Sequence, residues 1–113
     1  MRWLVLPVLL VAACSTGPEA DRASIGEARS LVAEWAMVND LAAIGRVTPV
    51  YARTMRSELH DQLEATASAL TEPNSRYGGE IRASLKLPAN TDPETLRQHC
   101  ARLKQLEDSL ESA

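Results

Sequence analysis

The chain has 113 residues, with 12 basic against 15 acidic side chains, a formal net charge of −3 and 45% apolar residues. That length holds at most one domain. The acidic balance excludes a nucleic-acid binder, which draws most of its affinity from a basic surface, and no polybasic stretch is present for lipid headgroups.

Residues 1–13 differ from the rest. Met1 and Arg2 give a short positive start, Trp3 to Val11 form an apolar run, and Ala12 and Ala13 are small. Charge, apolar stretch and small-residue cleavage site in this order are the layout of a secretory signal peptide. The run is shorter than the ~20 apolar residues that span a bilayer, and Pro7 interrupts it. Val11-Ala12-Ala13-Cys14 then resembles the lipobox of bacterial lipoprotein precursors. The resemblance implies removal of residues 1–13 and a diacylglycerol joined to the Cys14 sulfur, with acyl chains such as palmitate. It also implies retention on a membrane through that lipid. Each buried methylene adds ~0.8 kcal/mol, and two or more chains hold stably where one binds reversibly. Ser15 stands where inner-membrane lipoproteins commonly carry aspartate, so the resemblance implies a place in the cell envelope at the outer membrane, facing the periplasm. Loss of Arg2 with the leader leaves 11 basic side chains (12 less one) against 15 acidic, a net of −4.

Residues 14–22 read as a short tether, and 23–113 as a helical domain. The first helix is expected from about Ser24 to Ile44, with Leu31, Val32, Trp35, Val38, Leu41 and Ala42 at helical spacing. Met37, Ala43 and Ile44 widen its apolar surface, as befits a central helix. Gly45 suits a C-terminal cap. Thr48-Pro49 opens a second helix, a cap followed by proline at the first helical position. Its stripe is Ala52, Met55, Leu59, Leu63, Thr66 and Leu70, with Arg53, Arg56, Asp61 and Glu64 off it; Glu72-Pro73-Asn74 ends it. The short connection predicts an antiparallel hairpin. A weaker third helix spans about Ser75 to Lys86, where Gly78-Gly79 speaks against helix. Residues 87–91 are a loop. Asp92-Pro93-Glu94 starts a last helix carrying Leu96, Cys100, Leu103, Leu106 and Leu110. The expected fold is all-α, a small three- to four-helix bundle built on the antiparallel hairpin.

With Cys14 committed to lipid, Cys100 has no partner within the chain. It reads as a small core residue or as half of an inter-chain disulfide.

Chemistry is sparsely marked. Neither His60 nor His99 has another His or Cys one helical turn away, so no metal site or cofactor is expected. No nucleophile elbow or phosphate loop occurs, and no catalytic residue is assigned. Glu58, Asp61 and Glu64 read as a solvated face. Asn39 stands out because it falls within the apolar arc of the first helix. It is a hydrogen-bonded core amide that fixes helix register, or, with Trp35 and Tyr51, part of a ligand or partner groove, or a sign that the helix is more exposed, with Trp35 and Met37 forming a docking patch. The leading expectation is a non-enzymatic, membrane-anchored interaction module that contacts another envelope protein or a second copy of itself. The alternative is a small-ligand carrier or sensor with a groove between helices. The first calls for a flat or ridged exposed apolar patch without a sizeable pocket, the second for an enclosed apolar cavity of ~300 Å³ or more with a few polar groups.

Overall fold

A computed structural model of the chain describes residues 17–111. The expected signal peptide and Cys14 lie outside the described residues.

Four helices follow one another: α1 (Pro18–Ala43), α2 (Pro49–Ser68), α3 (Arg76–Leu85) and α4 (Pro93–Glu111). The described residues contain no strand. The chain is thus all-α, in the four-helix form of the expected bundle. None of these helices is long and apolar enough to cross a membrane.

The starts and stops follow local chemistry. Thr48 Oγ1 accepts from Tyr51 N–H at 3.0 Å to cap α2, with Pro49 in the first turn. Asp92 Oδ2 accepts from the N–H groups of Glu94 and Thr95 to cap α4. At the end of α1, Gly45 takes a φ of 71°. Gly45 N–H donates to Ala42 O and Arg46 N–H to Leu41 O, the paired bonds of a Schellman cap.

The expected tether is shorter than 14–22. Residues 18–22 are already helical, so α1 begins six residues before Ser24. The cause is local. Gly17 turns the chain at a φ of 83°, Pro18 fits the first turn, and Glu19 and Asp21 face the positive end of the helix dipole. Asp21 then locks the start in place. It is 1% exposed. Its carboxylate accepts from Thr71 N–H at 2.8 Å, Glu72 N–H at 3.0 Å and the Tyr77 hydroxyl at 2.7 Å. Burial alone would raise its pKa, but the bonds from Thr71, Tyr77 and Glu72 outweigh that and hold it below the ordinary value. Burial and the Asp21 bond push the Tyr77 hydroxyl up to about 12.

α1 is the central helix. α2 and α4 flank it without packing on one another, and α3 bridges α2 and α4. α1 and α2 form the expected antiparallel hairpin: Asn39 meets Arg56 near the connection, and Asp21 meets the turn after α2 at the far end. α4 also runs antiparallel to α1, since Arg97 pairs with Asp40 at one end and Arg29 with Glu107 at the other. Ile25, Val32, Leu63, Ile81, Leu96 and Leu103 are fully buried between the helices. The core therefore lies along α1, which keeps a solvated face at Ala23, Glu27, Ser30, Ala33, Glu34 and Met37.

α3 has a packing reason for one of its two glycines. A Cβ on Gly78 would overlap the Pro73 carbonyl, whereas one on Gly79 would meet nothing within 4 Å. Gly78 thus lets α3 sit against the turn that Asp21 holds.

Candidate functional site

An open groove of about 710 Å³ runs along the first three turns of α2. Trp35 and Ala42 of α1 contribute to its wall, as do Val47 and Pro49 at the connection. α2 adds Ala52, Arg53, Arg56, Ser57, His60 and Asp61, and Leu87 and Ala89 come from the loop between α3 and α4. Apolar walls with a few polar groups, at a volume of ~300–1,000 Å³, are the usual character of a small-ligand site.

The groove is shaped by hydrogen bonds to that loop. Trp35 Nε1 donates to Ala89 O at 2.8 Å. Asn39 Nδ2 donates to Ala89 O at 3.1 Å and Thr91 O at 2.8 Å. Asn39 Oδ1 accepts from Arg56 Nε at 2.7 Å. One buried amide thereby ties α1, α2 and the loop together, satisfying the carbonyls of a segment that has no regular structure. His60 Nε2 lies 3.3 Å from Leu85 O and fastens α2 to the end of α3.

The three residues singled out from the sequence separate here. Trp35 lines the groove. Asn39 does not; it is 5% exposed and spends its amide on the loop and on Arg56. It does border a smaller adjoining hollow of about 440 Å³, which shares Ala42 and Arg56 with the groove. Tyr51 is 49% exposed and lies outside the groove lining, as do the exposed Met37, Ile44 and Val50.

Arg53 and Arg56 carry the groove's positive charge. Their position off the apolar stripe suggests a solvated face, yet both line the groove. Neither forms a salt bridge among the described residues, where Arg29, Arg97, Arg102 and Lys104 all do. The sequence signal is their i, i+3 spacing beside Ala52, on the flank of the stripe rather than opposite it.

Two other clusters bear on chemistry. Ser84, His99 and Glu80 come together between α3 and α4, superficially like a hydrolase triad. Glu80 Oε2 at 2.5 Å and Ser84 Oγ at 3.3 Å both contact the same ring nitrogen, Nδ1 of His99. A triad needs the nucleophile and the orienting carboxylate on opposite nitrogens. Ser84 is also fully buried, and Glu80 is shared with Arg102. The cluster joins α3 to α4 and cannot run the relay. On the surface of α2, His60, Asp61 and Glu64 offer ligand atoms within 4.8 Å of one another. Both carboxylates are exposed, as solvated helix faces usually are, and the cluster carries no metal assignment.

Cys100 is a partly buried free thiol on α4, donating to Arg29 O at 3.5 Å. Burial raises its pKa, against the opposing pull of Arg29 and Arg97. That environment disfavours the reactive thiolate. Comparison with protein-family models, with curated proteins and with solved structures finds no match for this chain.

Proposed function

We propose that the protein is a lipid-anchored, non-enzymatic binding module of the bacterial envelope, a small-ligand carrier or sensor that uses the α2 groove. The observation that carries this reading is the groove itself: about 710 Å³ beside Trp35, with apolar walls and a loop fastened by two buried side chains. A site whose supporting residues are already bonded loses little conformational freedom on binding. The resemblance of Val11-Ala12-Ala13-Cys14 to a lipobox supports the envelope location, with the outer membrane the expected one.

A partner-docking reading has its own support. Met37, Ile44, Val50 and Tyr51 are each about half exposed or more around the α1–α2 connection. Clustered exposed apolar residues are the usual mark of a protein contact. The two readings are compatible if a partner receives or delivers what the groove holds.

The test is mass spectrometry of small molecules that co-purify with the protein from its own membrane. Ser57→Phe, at an exposed position on the groove wall, fills the site without touching the core. A molecule retained by the wild type and lost from Ser57→Phe is expected. Equal recovery from both, or none from either, would count against the groove. The anchor is tested separately. The mature N-terminus should carry acylated Cys14, and Cys14→Ser should leave the membrane fraction.

A further inference from the structure

We infer that the groove takes an anionic amphiphile, a carboxylate or phosphate head on a short aliphatic tail. This rests on the reading of the groove as a ligand site and adds the ligand's class.

Charge supplies the first reason. Arg53 and Arg56 present two guanidinium groups to one groove, and no carboxylate pairs with either among the described residues. Arginine is the side chain best suited to a planar or tetrahedral oxyanion, through paired N–H donors. Arg56 is held ready for that role. Its Nε is occupied by Asn39 Oδ1 at 2.7 Å, which fixes the plane of the guanidinium and leaves its terminal amines for a ligand. Both arginines fall in the first two turns of α2, a helix with no acidic residue in its first turn. The positive end of the helix dipole therefore adds to their field rather than being offset by a side chain.

Polarity along the groove supplies the second. Asp61 lines it as well, two turns beyond Arg53, or ~12 Å along the helix axis. An anion is drawn to the Arg53 end and repelled from the Asp61 end. Trp35, Val47, Ala52 and Leu87 supply apolar contact on the rest of the wall, beside the polar Ser57 and His60. One head and one tail match this division. A peptide with several acidic side chains would set some of them against those apolar residues.

Isothermal titration of the purified protein tests the assignment, with each probe held below its micellar concentration. Dodecanoate and dodecyl phosphate are the two anionic probes, and they distinguish a carboxylate from a phosphate source. Dodecyl maltoside is the neutral control with the same tail. At least one anionic probe should bind about ten-fold or more tightly than the control, the worth of one charge-assisted contact. Arg53→Gln should remove that preference. Arg53 is exposed and makes no hydrogen bond or ion pair to another described residue, so the variant should fold normally. If all three probes bind alike and Arg53→Gln changes nothing, while Ser57→Phe abolishes binding, the anionic class is overturned and the groove stands. Selective binding that survives Ser57→Phe overturns the assignment to this site. If no probe binds and an acidic peptide does, the amphiphile is the wrong ligand. If nothing binds at all, both the inference and the groove reading fail.

Discussion

At the scale of single residues, this domain is organised by two buried polar side chains, and each fixes an irregular segment to α1. Asp21 holds the turn after α2; Asn39 holds the loop after α3. Removing either acceptor or donor strands several buried groups at once, at about 1–3 kcal/mol for each unsatisfied group. Asp21→Asn should therefore lower stability by a few kcal/mol at neutral pH. The sign of its pH dependence follows from the depressed pKa. A carboxylate lowered by folding contributes stability above its unfolded value, about 3.9 for Asp, and that contribution is lost as pH falls through the folded value. The gap between wild type and Asp21→Asn in urea titrations should accordingly narrow below about pH 4. Comparing the two proteins cancels the other carboxylates. Asn39→Leu should cost about 1–3 kcal/mol and loosen residues 87–91, seen as faster amide exchange in that loop with the core unchanged. Asn39 is conspicuous in the sequence as a polar residue in an apolar arc. Its partners are not, because Ala89 and Thr91 offer backbone carbonyls that any sequence would carry.

At the scale of elements, capping chemistry and helical periodicity make α2 and α4 legible in the sequence alone. Thr48-Pro49 and Asp92-Pro93 mark their starts where the helices begin. The same grammar stands at Gly17-Pro18-Glu19, where a turn-forming composition close behind the lipobox-like Val11-Ala12-Ala13-Cys14 reads equally well as a tether. Nothing apolar flags the first turn of α1, since its buried residue there is the charged Asp21. α3 shows the opposite difficulty. Its glycines argue against helix by intrinsic propensity, yet Gly78 is required by close approach to Pro73 and tertiary contact wins. The two positions should therefore separate cleanly. Gly78→Ala should destabilise by about 1–3 kcal/mol through overpacking. Gly79→Ala, in open space and with helical backbone, should stabilise by about 0.5–1 kcal/mol. Thermal unfolding of the two variants reads both signs.

At the scale of the whole molecule, α1 joins the expected anchored end to the groove. Trp35 lies ~27 Å along that helix from Gly17, so the groove and the N-terminal end of α1 lie in different parts of the domain. The groove is not legible in the sequence because no single segment carries it. Its walls come from α1, α2 and a loop nearly thirty residues beyond α2's last contributing residue, and the packing of α3 with the Trp35 and Asn39 bonds to the loop brings them together. The core at Cys100 makes a separate prediction. A partly buried thiol with a raised pKa should react slowly with thiol reagents in the folded protein, and quickly after denaturation. A fast native reaction, or a disulfide-linked dimer on a non-reducing gel, would contradict this placement.

The proposed ligand enters between α2 and the loop after α3. Trp35 sits in that wall with its indole N–H on Ala89 O. Amide and indole chemical shifts of isotope-labelled protein, followed as dodecanoate is added, read the claim directly. The account predicts saturable shifts at the Trp35 indole, at residues 47–61 and at residues 85–91, with α4 beyond Leu103 unmoved. Shifts centred instead on Met37, Ile44 and Tyr51, or on α4, with the Trp35 indole unchanged, would contradict it.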